Sequence, residues 1–227
     1  MSTNATGAEP VRLYGYWRST AAWRVRLALG LKGLEWQYCP VHLLRDGGEQ
    51  RQPGFLRRNP QGLVPALEID GQVLTQSLAI IEYLEETRPQ PALLPGDPAG
   101  RARVRSLAQL VASDLHPLNN LRVLQYLGGP LALAEAQRNA WYRHWVATGL
   151  AALETRLARE PGTGRFCHGD APGVADCCLV PQLYNARRYD CPLEDYPTLL
   201  RIESACRELD AFVAASPERQ PDAVPAG

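Results

Sequence analysis

Apolar and polar positions in the first 87 residues switch between strand and helix spacing. Val11 to Tyr16 alternates like a half-buried strand, and Ser19 to Lys32 then has apolar residues at helical spacing before Gly33. The later predicted elements are a strand over residues 35–42, a short helix near 52–58, a hairpin of strands 64–69 and 72–75, and a helix over 77–86. The pattern therefore predicts a β-α-β-α-β-β-α unit with a mixed sheet.

After residue 87 the spacing of apolar residues is helical only. Residues 88–98 hold four prolines and form the predicted linker. Helices are predicted over residues 99–126, 132–159, 174–188 and 197–215. The expected organisation is an α/β domain over residues 1–87, a linker over 88–98 and an all-helical domain over 99–227, with a loose tail from Pro217 onward.

Composition narrows the class of partner. The 227 residues contain 24 basic and 24 acidic side chains, so no basic field favours nucleic acid or an anionic membrane. No apolar run is long enough for a membrane span, and the N-terminus has no signal-peptide pattern. The six cysteines lack zinc-site spacing, so we expect free thiols, no metal and a cytoplasmic protein with a small-molecule partner.

The junction between the first strand and the first helix is the first candidate site. A strand that ends at Tyr16 and a helix that begins near Ser19 leave backbone N–H groups pointing into the loop, where partial positive charge collects. An anion would bind well there. Ser19 taken alone is better explained as an ordinary helix cap, so other positions must support an anion site.

Two further junctions have similar chemistry. Val64–Pro65 opens a strand, and a proline there is understandable if its peptide is cis and the neighbouring backbone pairs with a bound peptide. Gln76–Ser77 opens the next helix and offers a second anion site. The simpler alternatives are an edge strand and a cap. Together the three junctions suit a small anionic peptide.

The same stretches resemble a known family, the zeta class of the glutathione transferases. The matching motifs run in order from residue 11 to residue 222; they are RSTAAWRVRLAL, DGGEQ, NPQGLVPAL, QSLAIIEYLEE, LLPGDP, HPLNN, ADCCLVPQ and RQPD. The resemblance implies a thioredoxin-like glutathione-binding domain followed by an all-helical domain, in a protein that is usually a homodimer.

The resemblance also implies roles for individual residues. Ser19 would hydrogen-bond the glutathione sulfur, Gln50 would contact the glycyl end, and Val64, next to Pro65, would pair with the cysteinyl backbone. Gln76 and Ser77 would hold the γ-glutamyl carboxylate. The other implied glutathione contacts are Thr20, Ala21, Ala22, Trp23 and Arg24 on the first helix, and His116, Asn120, Leu121 and Arg122 in the helical domain.

The chain departs from the family inside the first motif. Where the family has Ser-Ser-Cys-Ser, this chain has Ser19–Thr20–Ala21–Ala22, so no enzyme thiol is available there. Glutathione brings its own thiol, which Ser19 and the helix N-terminus would hold as the thiolate. Addition to the cis double bond of a maleyl group, rotation and elimination would give the trans isomer. Ser19, Thr20 and Arg18 are the candidate catalytic residues.

The implied substrate is a dicarboxylate, maleylacetoacetate or maleylpyruvate. Arg18, Arg122 and Arg188 are the candidate side chains for its carboxylates, since arginine forks suit them; whether Arg187 or Arg188 faces the site stays open. Two alternatives remain. One is a transferase that conjugates glutathione to small electrophiles such as α-halo acids, and the other is a non-catalytic binding protein with the same fold.

The stretch GDAPGVADCCLVPQ, residues 169–182, resembles the buried start of a helix in this family. Its cap position holds Gly173, and Asp176 lies three residues on. We assign this stretch to folding and not to catalysis.

Overall fold

The computed structural model describes residues 10–224 of the chain. Residues up to Gln90 and those from Ala214 onward form one compact unit, and Pro91–Val213 form a second. The described final residues thus belong to the first unit, whereas the sequence predicted a helical domain running to residue 227. Among the described residues, no helix is both long and apolar enough to span a bilayer.

The first unit has the predicted β-α-β-α-β-β-α order. Its elements are β1 (Arg12–Gly15), α1 (Thr20–Leu31), β2 (Gln37–Pro40), α2 (Pro53–Leu56), β3 (Ala66–Ile69), β4 (Gln72–Thr75) and α3 (Ser77–Thr87), with single 3₁₀ turns at Arg45–Gly47 and Glu49–Arg51 between β2 and α2. The strand order is β2-β1-β3-β4. β1 and β2 are parallel and the other pairs are antiparallel, so the sheet is mixed as predicted.

Helix α1 is buried along most of its length. Ser19 caps its first turn, and Gly33 follows its end with φ 64°, a left-handed conformation that favours glycine. Leu13 of β1, Leu27 of α1 and Leu84 of α3 are fully buried. The core of the unit therefore fixes both helices whose N-termini the sequence singled out.

The second unit is all-helical, as predicted. Its helices are α4 (Pro98–Gln109), a π-helical turn (Leu110–Leu115), α5 (His116–Leu118), α6 (Leu121–Gly128), α7 (Glu135–Arg159), α8 (Val174–Arg188), α9 (Pro197–Arg207) and α10, which ends the unit's helices at Asp210–Ala214. The predicted single helix over residues 99–126 is wrong. Pro117 cannot donate a backbone hydrogen bond, and Asn120 caps a new helix. The helix is therefore interrupted between α5 and α6.

The start of α8 is built around one buried carboxylate. Asp176 accepts the backbone N–H groups of Gly173 at 2.8 Å and Cys167 at 2.9 Å, and burial raises its pKa. A Cβ at Gly173 would lie 2.7 Å from the carbonyl oxygen of Leu93, so glycine is required at this cap position. The hydrogen bonds explain the folding role predicted for this stretch.

The prediction of a loose tail is wrong for the tail residues that the structure describes. Asp222 accepts the backbone N–H of Trp17 at 3.1 Å and the hydroxyl of Tyr38 at 3.3 Å. These contacts attach the tail to the loop that follows β1. Such pairing between distant parts of the chain leaves no periodic signal, so composition alone suggested disorder.

Candidate active site

The Ser19 hydroxyl lies at the N-terminus of α1 and is half-buried. Its Oγ accepts the N–H of Ala22 at 3.2 Å, while the Ser19 N–H donates to the carbonyl of Tyr16 at 2.9 Å. A serine hydroxyl has one proton to donate besides its acceptor lone pairs. Ser19 can therefore cap the helix and still donate a hydrogen bond to a ligand.

Thr20 begins α1 directly beside this hydroxyl. Its side chain is 2% exposed, and its Oγ1 has no hydrogen-bond partner among the described residues. Buried hydroxyls are normally paired, so Thr20 Oγ1 needs a partner that the described residues do not supply.

The N-termini of α1 and α3 are joined by a buried arginine. Arg24 is 1% exposed, and its Nη1 donates to the Ser77 hydroxyl at 3.2 Å. No described side chain caps the backbone N–H groups at the start of α3. A fixed positive charge and uncapped N–H groups lie together here, which favours an anion.

Gln76 has a backbone conformation that is costly for a residue with a side chain. Its φ is 67°, and its side-chain Nε2 donates to Gln61 at 2.8 Å. A non-glycine residue in this region costs about 1–3 kcal/mol and is typical of ligand sites. The conformation turns the chain from β4 into α3 and places Gln76 at the rim of the anion site.

The Val64–Pro65 peptide is cis, which is the condition that the sequence analysis set for pairing with a bound peptide. Val64 is half-buried and packs against the small cluster of Val41, Phe55 and Ala66. Neither its N–H nor its C=O pairs with a backbone group among the described residues. Val64 lies two residues before the start of β3, so its backbone polar groups are left for an extended peptide that approaches beside the strand.

Gln50 is held in a buried position by a glycine. It is 5% exposed, its Nε2 donates to the carbonyl of Leu43 at 3.3 Å, and its Oε1 has no partner among the described residues. A Cβ at Gly48 would lie 2.6 Å from the Gln50 amide, and Gly48 has φ 103°. Only glycine allows this approach, which explains the second glycine of the DGGEQ motif.

The comparisons with known proteins point to one family. Models described as "Glutathione S-transferase, N-terminal domain" and "Glutathione S-transferase, C-terminal domain" match residues 13–92 and 133–215. The maleylacetoacetate isomerase of Pseudomonas aeruginosa is 51% identical, over 93% of this chain and 98% of its own.

Solved structures agree. The chain superposes with a TM-score of 0.91 on a holo maleylpyruvate isomerase described as a bacterial glutathione S-transferase of the zeta class, 49% identical over 94% of this chain and 100% of that one. The chain belongs to the zeta class of the glutathione transferases. The TM-score is 0.82 for the maleylacetoacetate isomerase of Anaeromyxobacter dehalogenans 2CP-1, which is 51% identical over 95% of this chain and 98% of that one; its active site holds dicarboxyethyl glutathione and citrate.

Within this zeta-class enzyme, Arg18 stands out among the arginines. Its guanidinium lies 4.5 Å from the ring centroid of Trp17, and it forms no ion pair or hydrogen bond with the described residues. The cation–π contact orients the side chain without neutralising its charge. Arg18, which directly precedes Ser19 in the chain, is therefore a candidate to bind a substrate carboxylate.

The paired arginines at the end of α8 differ in their partners. Arg187 binds both carboxylate oxygens of the buried Glu203, at 2.7 and 2.5 Å. Arg188 donates to the neutral amide of Asn185 at 3.0 Å and forms no ion pair with a described residue. This favours Arg188 as the residue with charge available to a substrate.

The remaining predicted residues of the transferase belong to the second unit. His116 begins α5 directly after the π-helical turn, and Asn120 caps α6 by accepting the N–H of Arg122 at 3.1 Å, with Leu121 opening that helix. Their contact with a ligand held by the first unit stays a prediction.

Three functional features were missed by sequence reasoning. They are the link between Arg24 and Ser77, the contact of Gly48 with Gln50, and the attachment of the tail at Trp17. Only the glycine pair in the DGGEQ motif gave a signal that could have been used.

Proposed function

We propose that this zeta-class enzyme is a glutathione-dependent cis–trans isomerase of maleylacetoacetate or maleylpyruvate. The observation that carries the proposal is the N-terminus of α1, where the Ser19 hydroxyl can still donate a hydrogen bond and where the preceding residue, Arg18, forms no ion pair with the described residues. The names of relatives about 50% identical over nearly the whole chain support the reaction class.

The groups left unpaired in the first unit fit glutathione, a tripeptide with a carboxylate at each end. The γ-glutamyl carboxylate would bind at the α3 N-terminus, held by Ser77 and the rim residue Gln76. The backbone of Val64 would pair with the cysteinyl residue, and the free Oε1 of Gln50 would accept a hydrogen bond from the glycyl amide. Arg24 of α1 fixes the Ser77 hydroxyl by a hydrogen bond.

Bound glutathione supplies a thiolate that adds to the cis double bond of the substrate, permits rotation about the resulting single bond and leaves again. Ser19 donates its hydroxyl proton as a hydrogen bond to the sulfur, and the N–H groups of α1 add partial positive charge. Both favour the thiolate over the thiol. Thr20 Oγ1 offers a second hydroxyl at the same point.

The first turn of α1 has alanine where the family motif has cysteine. Ala21 has no ionisable or nucleophilic group, so no protein thiol acts in the proposed reaction. The nearest described cysteine in the chain is Cys39 on β2, and burial raises the pKa of its thiol. A raised pKa keeps that sulfur protonated and unreactive at neutral pH.

We infer that the substrate is a dicarboxylate. Arg18 would bind one carboxylate next to the thiolate, and Arg188 and Arg122 are the candidates for the second. Arginine suits this role because its planar fork makes two hydrogen bonds to a carboxylate. A dicarboxyethyl group on sulfur is what thiol addition to an unsaturated four-carbon dicarboxylate leaves, so the ligand of the Anaeromyxobacter relative supports this substrate class.

Isomerisation of the two maleyl compounds by the purified chain tests the proposal. Absorbance gives the rate, and proton NMR distinguishes the maleyl from the fumaryl product. Turnover is expected only when glutathione is present. Inactivity on both compounds, together with release of halide from an α-halo acid, would replace isomerisation by conjugation.

We also infer a homodimer in the cytoplasm. All six cysteines are free thiols, in keeping with a reducing compartment. The dimer rests on family membership, and light scattering checks it: the expected mass is twice the 25.0 kDa of one chain.

A further inference from the structure

The end of the described chain is bound to the loop that carries the candidate catalytic residues. Oδ2 of Asp222 accepts the backbone N–H of Trp17 at 3.1 Å, from 205 positions away in the sequence. The same oxygen accepts the hydroxyl of Tyr38 at 3.3 Å. Burial raises the pKa of Tyr38, so its hydroxyl keeps the proton that it donates. Asp222 thus bridges β2 and the loop between β1 and α1.

A buried arginine makes a second connection between the tail and the same loop residue. Arg26 is 0% exposed; its Nε donates to the carbonyl of Ala215 at 3.0 Å and its Nη2 to the carbonyl of Trp17 at 2.9 Å. Burial lowers the pKa of Arg26 to about 10, which still leaves it charged at neutral pH. Hydrogen bonds to a charged donor are stronger than neutral ones.

Both backbone polar groups of Trp17 are therefore fixed by hydrogen bonds to Asp222 of the tail and to Arg26, which also binds the tail at Ala215. Trp17 is 7% exposed and its ring lies against the Arg18 guanidinium. Two residues on, Ser19 donates its N–H to Tyr16, which precedes Trp17. The orientation of the Trp17 peptide groups consequently sets the direction of the two side chains that follow.

We propose that Asp222 is a positioning residue, which acts through the Trp17 backbone to direct the Ser19 hydroxyl and the Arg18 guanidinium. Its effect on catalysis rests on the proposed function, whereas its effect on the loop does not. Misplacing a catalytic group by about 1 Å costs about 100-fold in rate. We therefore expect loss of the Asp222 carboxylate to lower kcat/KM by about 10- to 100-fold.

Two variants at this position separate positioning from folding. Asp222→Ala removes the acceptor, while Asp222→Asn keeps a carbonyl oxygen for the Trp17 N–H and should recover most of the activity. Tyr38→Phe leaves the carboxylate and removes one of its two donors, so its effect should be smaller and in the same direction. Asp195→Asn, at an exposed carboxylate of the second unit, is the matched control.

The first measurement is amide hydrogen exchange in the ligand-free protein. Exchange at Trp17, Arg18 and Ser19 should be faster in Asp222→Ala than in wild type, while the β3–β4 hairpin is unchanged. The second is the pH dependence of kcat/KM for the maleyl substrate at saturating glutathione. A misdirected Ser19 stabilises the bound thiolate less, so the acidic limb should move to higher pH; partial unfolding alone would lower the rate without moving it.

Unchanged exchange at these three amides in Asp222→Ala would overturn the proposal. Faster exchange with no shift in the acidic limb of the pH profile would also overturn it, because the tail would then stabilise the loop without affecting the thiolate. Should wild type show no glutathione-dependent turnover, the proposed function fails, and the exchange rates alone decide whether Asp222 sets the loop. If Asp222→Ala does not fold, Tyr38→Phe makes the comparison instead, with faster exchange at the same amides and a smaller shift of the acidic limb expected, and no change in either would overturn the proposal.

Discussion

Replacing Ser19 by alanine removes one hydroxyl with two separable roles. The first is the cap on α1, seen as the 3.2 Å bond from the Ala22 N–H. Loss of a serine cap costs about 1 kcal/mol, which for a chain of this length lowers Tm by about 2–4 °C. The second is the proposed hydrogen bond to the thiolate, and a bond to a charged group contributes about 1.5–3 kcal/mol. That range corresponds to about 10- to 150-fold in rate.

Thermal unfolding and isomerisation rates of the same Ser19→Ala preparation measure the two roles separately. Asp97→Ala is a matched control, since Asp97 caps α4 by accepting the N–H of Gly100 at 2.8 Å. It should lose similar stability and keep its activity. Full activity in Ser19→Ala would refute the role in thiolate stabilisation. An equal loss of activity in the control would show that the rate reports general destabilisation.

Four further substitutions test other parts of the molecule. Arg18→Ala should raise KM for a dicarboxylate substrate by about 10-fold and leave KM for a neutral electrophile nearly unchanged, as steady-state kinetics would show; equal changes would remove Arg18 from substrate recognition. Arg188→Ala should lower activity at unchanged stability. Arg187→Ala should lower the free energy of unfolding in urea by about 1–3 kcal/mol, because the buried Glu203 loses one of its partners. Loss of activity in Arg187→Ala together with loss of stability in Arg188→Ala would contradict the choice between the two arginines. Asp176→Ala should cost about 2–4 kcal/mol, because two backbone N–H groups lose their acceptor, and a change below about 0.5 kcal/mol would refute its folding role.

Local patterns were enough to predict the elements of the first unit. The alternation before Tyr16, the helical spacing after Ser19 and the Asp70–Gly71 turn each depend on residues close together in the chain. The cis peptide at Val64–Pro65 was also predictable, because proline is the residue that tolerates a cis bond and it stands here at the start of a strand. Such features need no knowledge of tertiary contacts.

Tertiary contacts account for what the sequence did not reveal. The helix predicted over residues 99–126 ends early because Pro117 and Asn120 act together with a π-helical turn, which has no spacing signal of its own. The tail is ordered by Asp222, whose partners lie near the other end of the chain. A contact over such a distance cannot be read from periodicity.

The candidate site was predictable in outline and not in its supporting contacts. The helix mouth at Ser19 and the uncapped start of α3 follow from the order of the elements. The buried Arg24 does not, since arginine is normally exposed, and its hydrogen bond to Ser77 depends on how α1 packs against α3. The choice between Arg187 and Arg188 likewise required the position of Glu203 on α9.

The proposed isomerisation depends on the thiol of glutathione and on no thiol of the protein. The most direct test compares the rate of maleylpyruvate and maleylacetoacetate isomerisation with glutathione and with its analogue in which a methyl group replaces the sulfhydryl. The expected result is that the analogue competes with glutathione for the site and supports no turnover. Turnover with the analogue, or with no tripeptide at all, would contradict the proposed chemistry.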